Sequence, residues 1–455
     1  MLKKLRIILA ALFFVGITLF LISPNNLPWL EWMPKVQFLP AILALNLLVV
    51  VVVLLITWLF GRVYCSVICP LGIIQDIIAI LGKKTKKNPK IPYTYSPAKD
   101  ILRYVVLALY IVAIIAGIGV VVALLAPYGN YGRMIQTIIH PTLVVGLITL
   151  VSFIVIAILA WRNGRTYCNT ICPVGTTLGL ISRFSLFRPV IDVNKCNGCK
   201  LCARNCKASC INPEAHSVDM SRCVACMDCI GKCKQGAIRY TIRKSDNDTP
   251  VNSSRRGFLT VAGLMATSYA LAQKGKMDGG LAEIKDKVAP KRKTPIVPPG
   301  ALSIRHFQQH CTACQLCVSA CPNKVLRPSG NVMTLMQPES SYELGFCRPE
   351  CTKCSEVCPA GAIRPITKLN KKEIQIGHAV IHRCMCVKLD NGDACGNCSR
   401  HCPTHAISMV EDKKGYLIPV VDESKCIGCG ACEYLCPSRP ISAIRVEGHE
   451  VHHKI

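Results

Sequence analysis

Between Cys196 and Cys233 the chain reads C-N-G-C-K-L-C-A-R-N-C and then C-V-A-C-M-D-C-I-G-K-C. Each run is C-x2-C-x2-C-x3-C, a spacing that ligates [4Fe–4S] clusters in pairs. Three cysteines in a tight loop cap three irons of one cubane, and the fourth, carried on a short helix, ligates the other cluster of the pair. The expected sets are Cys196, Cys199, Cys202 and Cys233 for one cluster, and Cys223, Cys226, Cys229 and Cys206 for the other. Lys207 and Lys234 stand where a proline commonly follows the fourth cysteine, and Cys210 lies close enough to compete with Cys206. Zinc sites rarely run four cysteines at this spacing, and disulfide frameworks belong to small secreted domains.

The length, 455 residues, corresponds to about three units. Thirty cysteines, most in regular groups, favour metal ligation over stapling. The formal charge of +28 makes nucleic acid the obvious partner to consider, but no nucleic-acid motif accompanies it. The basic residues flank apolar segments or sit among the cysteine groups, where they offset thiolate charge, so no nucleic-acid partner is expected.

Four long apolar segments precede the paired motif: Ile7–Ile22 (from Leu5 at its longest), Leu39–Phe60, Ile101–Ala126 and Thr142–Trp161. The last three are each long enough to span, near the ~20 residues that cross a bilayer, and the first comes within range when started at Leu5. Lys3, Lys4 and Arg6 before the first, and Lys83, Lys84, Lys86, Lys87 and Lys90 after the second, place those ends in the cytoplasm. The outer loops are then Ser23–Gln37 and Pro127–His140. The second segment ends in G-R-V-Y-C-S-V-I-C-P-L-G (61–72) and the fourth in G-R-T-Y-C-N-T-I-C-P-V-G (164–175). The shared frame G-R-x-Y-C-x-x-I-C-P-x-G marks an internal repeat, so the spans read as two related hairpins. Cys65, Cys69, Cys168 and Cys172 are expected to converge at the cytoplasmic face, as redox thiols or as ligands of a further metal or iron–sulfur centre. The alternative is buried structural cysteines.

After Tyr240 the chain turns polar. S-R-R-G-F-L-T (254–260), a short apolar run to Ala272 and an A-x-A at Ala270–Ala272 together read as a twin-arginine export signal. Gln273–Gly300 reads as a tether. A second array follows: Cys311, Cys314, Cys317 and Cys321; Cys347, Cys351, Cys354 and Cys358; Cys395, Cys398 and Cys402; and Cys426, Cys429, Cys432 and Cys436. Cys386 is favoured over Cys384 as the missing ligand of the third group, being nearer. Neighbouring groups share their fourth cysteine, or the first pairs with the fourth. Six [4Fe–4S] clusters are expected in all.

The fold expected is an α-helical membrane domain of four transmembrane helices in two related hairpins, joined to α+β ferredoxin-like iron–sulfur domains. Its parts are 1–185 (membrane), 186–245 (two clusters), 246–300 (export segment and linker) and 301–455 (four clusters).

Residues 1–240, with their spans, two C-x3-C-P motifs and two-cluster tail, resemble the membrane subunit of NapH-type quinol dehydrogenases. Residues 253–455 resemble the twin-arginine-exported four-cluster ferredoxins of the NapG type. The resemblance implies a quinol dehydrogenase component in the bacterial inner membrane, with residues 186–245 cytoplasmic and 301–455 periplasmic. Quinol would be the substrate, and a periplasmic reductase or cytochrome the acceptor. Glu31, Arg133 and His140 are the ionisable residues placed to meet a quinone headgroup. Two other readings stay open: outward flow from a cytoplasmic low-potential donor, and a redox maturation factor for another metalloenzyme.

Overall fold

A computed structural model describes residues 2–85, 93–139, 143–242, 287–331, 334–386, 395–411 and 417–455. The export motif at 254–260, the A-x-A at 270–272 and His140 lie outside the described residues.

The apolar segments form helices with two interruptions. Helix α1 spans Leu2–Ile22 without a break. The second segment divides at Leu45, whose φ is +54°, and at Asn46, whose side chain accepts from Val49 N (3.4 Å) and caps helix α2, Leu47–Phe60. Helix α3 spans Pro70–Thr85 and helix α4 spans Asp100–Ala116. The third segment breaks where Gly117 takes a left-handed φ of +75° after α4, a conformation glycine adopts without penalty. Helix α5, Pro127–Ile139, replaces the outer loop expected there, because its residues from Pro127 to Met134 are all buried. Helix α6 spans Leu143–Asn163, and helix α7 spans Pro173–Ser182. Among the described residues, α1 and Val145–Asn163 of α6 are long and apolar enough to cross a membrane, and α2 is a shorter apolar helix.

Two cysteine-rich modules flank this bundle. In the first, Phe187–Ile191 pairs antiparallel with Ile238–Ile242 and closes the module from its two ends. In the second, Ile374–Ile381 pairs with Ile444–Lys454, Ile407–Glu411 with Leu417–Val421, and Leu326–Pro328 with Pro338–Ser340. The tether expected up to Gly300 ends earlier. Ile296 and Val297 are buried, and Arg292 Nη2 lies 2.6 Å from Glu433 Oε1, so residues 287–300 belong to the second module.

Helices α1, α2, α4 and α6 each contact one module at each end. At the first module, Lys3 pairs with Asp228 (2.7 Å), Tyr240 Oη donates to Phe60 O (2.7 Å), Arg103 Nη1 donates to Ser221 Oγ (3.1 Å), and Arg165 N, just past α6, donates to Lys207 O (2.8 Å). At the second, Phe20 and Leu21 pack with Val297 and Phe307, and Gly361 lies against Ala44 before α2. Gln309 Nε2 donates to Ile115 O (3.1 Å), and Val145 packs with Ala313 and Met336. The modules therefore sit at opposite ends of the bundle. Leu12, Leu48, Val112 and Leu147 are among many large apolar side chains exposed around its flank.

Candidate electron-transfer site

The C-x2-C-x2-C loops share one backbone. The residue after the second cysteine is left-handed each time: Lys200 (+57°), Met227 (+60°), Gln315 (+63°) and Gly430 (+79°). So is the residue two after the first: Gly198, Ala225, Ala313 and Gly428. Five of these eight positions, Lys200, Met227, Gln315, Ala225 and Ala313, are not glycine, and left-handed conformations at such residues persist only where the surroundings over-determine them. The loop bends the three thiols inward around one point.

The thiols gather as the crossing rule requires. One apolar hollow is lined by Cys196, Cys199, Cys202 and Cys233, and a second by Cys206, Cys223, Cys226 and Cys229 together with Cys210. Cys210 Sγ lies 3.5 Å from Cys206 Sγ, so it stays beside this second set as a neighbour. In the larger module, one hollow is lined by Cys311, Cys314, Cys317 and Cys358. Cys354 interacts electrostatically with Cys347, Cys351 and Cys321, which completes the exchange. Another hollow holds Cys426, Cys429 and Cys432 with Cys402, while Cys398 interacts with Cys386 and Cys436. Neighbouring groups therefore exchange their fourth cysteines, and the first-with-fourth pairing does not occur.

The third group is resolved by its backbone. Gly396, left-handed at +57°, follows Cys395 as Lys200 follows Cys199, which makes Cys395 the second ligand position. Cys386 N donates to Arg383 O (3.3 Å) at the end of a short 3-10 turn, as Cys196 N does to Val193 O (3.2 Å). The backbone at Cys386 thus matches that at Cys196, and Cys384 is exposed.

These sets fit cubanes better than single ions. Among the described residues, no three His, Cys, Asp or Glu side chains approach closely enough to hold one metal ion. A cubane spreads its thiolates over the corners of a cube, wider than the shell of one ion. When bound, each such cluster supplies one-electron chemistry, and the chain's own groups hold and tune it. Lys371, nearly buried, donates from Nζ to Cys347 Sγ (3.2 Å) and to Arg348 O (2.6 Å), and so presents a cation to one ligand sulfur. Nothing in the cysteine spacing announces Lys371.

The repeated frame forms a second kind of site. Cys65, Cys69, Cys168 and Cys172 are all buried in one core cluster with Tyr64, Tyr110 and Tyr167. After α2 the chain turns inward through Arg62 and a helical turn at Tyr64–Val67, then leaves along α3; after α6 it repeats the path through Arg165 and Thr166–Thr170 into α7. The two halves exchange arginines. Arg165 Nη1 donates to Cys65 O (2.7 Å), and Arg62 Nη2 donates to Cys168 O (3.0 Å). The last glycine of each frame makes room. A Cβ on Gly72 would lie 2.3 Å from Cys65 O, and one on Gly175 would lie 2.1 Å from Cys168 O. The four thiols do converge, but within the core of the bundle.

Glu31 and Arg133 do not form a common site. Glu31 pairs with Lys35 at the surface. Arg133 is buried and donates to Ala123 O (2.6 Å), Asn130 Oδ1 (2.6 Å) and Ala313 O (3.4 Å), which ties α5 to the second module. The same helix lays Gly129 and Gly132 against Thr312 O and Cys314 O. The P-Y-G-N-Y-G spacing was the available signal for this close approach.

These features define an iron–sulfur electron-transfer protein of the ferredoxin type. A family model described as a 4Fe-4S binding domain matches residues 42–88 and again 145–192. Two models described as 4Fe-4S dicluster domains match residues 310–363 and 393–439. The chain is 35% identical over 188 residues to the methylamine utilization ferredoxin-type protein MauM of Methylobacillus flagellatus, covering 38% of this chain and 76% of that protein. It is 34% identical over 208 residues to MauM of Methylorubrum extorquens, covering 41% and 86%. It is 29% identical over 161 residues to the ferredoxin-type protein NapF of Escherichia coli, covering 35% and 90%. No solved structure matches. The chain belongs to the ferredoxin-type 4Fe-4S proteins that include MauM and NapF.

Proposed function

We propose that this protein is a membrane conduit that carries electrons between the quinol pool and a periplasmic reductase or cytochrome through six [4Fe–4S] clusters. In this reading α1, α2, α4 and α6 cross the bilayer, with the 186–242 module in the cytoplasm and the 287–455 module in the periplasm. Quinol gives two electrons and each cluster carries one, so a chain of clusters separates them.

The observation that carries this reading is one continuous core. Val224 of the first module, the bundle interior and Ala360 of the second module pack in a single cluster of buried residues, with the half-buried Cys226 against it. Ala360 stands two residues from Cys358, a ligand position of the cluster group nearest the bundle. The exposed apolar flank of the four helices supports a lipid surround, and the lysines at 3, 4, 83 and 84 support a cytoplasmic first module.

The test is spectroscopic. The full chain, purified without oxygen, is mixed with a menaquinol analogue and followed by electron paramagnetic resonance. Cluster reduction supports the reading. Reduction only by a strong low-potential donor would replace quinol with a cytoplasmic carrier as the electron source.

A further inference from the structure

We propose that Cys65, Cys69, Cys168 and Cys172 together ligate one more iron–sulfur cluster, and that this centre relays electrons between the Cys226 and Cys314 groups. The inference rests on the conduit reading and names the step that reading lacks.

The thiols qualify as one set. Each is no more than 5% exposed, and all four are free. Cys172 interacts electrostatically with the other three, and Cys69 with Cys168 and Cys65. Two come from each copy of the frame, and four cysteines are the ligand complement of both [2Fe–2S] and [4Fe–4S] clusters.

The surroundings call for negative charge. Arg62 and Arg165 are fully buried. Arg62 Nη2 points to Cys65 Sγ (3.8 Å) and Arg165 Nη1 to Cys168 Sγ (3.9 Å). Asp76 Oδ1 balances Arg165 at 2.6 Å. Arg62 has only neutral acceptors among the described residues: Asn169 Oδ1, Ser221 O and Cys168 O. Arg62 Nε and Arg165 Nη2 are buried with no hydrogen-bond partner. Buried cations without counter-charge are disfavoured, and four neutral thiols supply none. A cluster held by four thiolates carries net negative charge, and it lies where these guanidinium groups point.

Position supplies the role. A helix of 21 residues is about 30 Å long, and electron tunnelling falls off exponentially with distance, so one hop from end to end is slow. The four thiols lie in the core cluster that touches Cys226 on one side and Ala360 on the other. One electron leaves the reduced cluster of the Cys226 group and reduces the central cluster by one. The central cluster then passes it to the oxidised cluster of the Cys314 group, with no bond made or broken.

The experiment compares the full chain with its Cys69→Ser/Cys172→Ser variant, both purified without oxygen. The variant is expected to lose iron and acid-labile sulfide equivalent to one cluster, together with one paramagnetic signal, while the others persist. Reduction of the second module by electrons supplied to the first is expected to slow at least tenfold. Unchanged iron, sulfide and signals would overturn the centre. Loss of one centre with unchanged transfer would overturn the relay. If the variant does not fold, Arg62→Gln decides: one signal is expected to titrate at lower potential with iron retained, and no movement of any signal would overturn the proposal. Failure of menaquinol to reduce the unaltered protein would instead count against the quinol donor and leave this centre to the iron and sulfide analysis.

Discussion

Lys207 Nζ lies 2.7 Å from Asp76 Oδ2, and both side chains are nearly buried. Asp76 also receives Arg165 Nε at 2.6 Å, and Lys207 reaches Asp228 at 3.3 Å. Burial favours the neutral acid, yet Arg165 and Lys207 hold the Asp76 carboxyl well below the usual carboxylate range. Lys207 directly follows Cys206, an expected cluster ligand, at a position where a proline is common. The lysine side chain docks the first module on α3, and its carbonyl accepts from Arg165 N.

Replacing Asp76 with Asn, or Lys207 with Met, leaves the remaining charges of this network buried without a full partner. Breaking such a pair costs about 3–5 kcal/mol. The expected outcome is an undocked first module, seen as faster proteolysis near residue 186 and a lower melting temperature, with the second module unaffected.

Exchange of the fourth cysteine has a direct consequence. Cys358→Ser is expected to disable the cluster held by Cys311, Cys314 and Cys317, whereas Cys321→Ser disables that of Cys347, Cys351 and Cys354. Redox-resolved paramagnetic spectra of the two variants should lose different signals. Loss of the same signal in both would contradict the exchange.

Lys371 donates to Cys347 Sγ. A charge-assisted bond to a ligand sulfur favours the reduced, more negative cluster. Lys371→Met is expected to lower the potential of that one cluster by about 60 mV, the one-electron equivalent of about 1.4 kcal/mol. A redox titration checks both size and selectivity.

His452 has both ring nitrogens buried without a hydrogen-bond partner. Burial, with His449 and His453 nearby, pushes its pKa down to about 4. An unfolded histidine titrates near 6.5. Between these values the unfolded chain binds a proton that the folded chain refuses. The stabilising contribution is therefore full above about pH 6.5 and is lost as pH falls toward 4, by no more than about 3 kcal/mol. His452→Leu should narrow the difference between melting temperatures at pH 7 and pH 5.

The cysteine ladder was legible because its spacing is the local geometry: C-x2-C-x2-C dictates a loop whether or not the rest of the chain is known. What the sequence left open depends on contacts between distant segments. Whether Cys358 serves Cys311 or Cys347 is decided by how two loops fold together. Arg62 and Arg165 were visible in the repeated G-R frame, but their exchange across the two halves was not. The breaks at Leu45 and Gly117 interrupt apolar runs whose composition alone reads as continuous. Pro127–His140 reads as an outer loop because it lies between two apolar runs, yet Pro127–Ile139 forms a helix whose Tyr128, Asn130, Tyr131 and Arg133 are buried, with Gly129 and Gly132 against the second module.

The central claim is that electrons pass from one module to the other through the bundle. Its most direct test uses the full chain in sealed lipid vesicles with ferricyanide enclosed and a membrane-impermeant reductant outside. The account predicts that the enclosed ferricyanide bleaches only when the protein is present, and that clusters of both modules cycle. Reduction confined to the externally exposed module, with the enclosed ferricyanide unchanged, would contradict it.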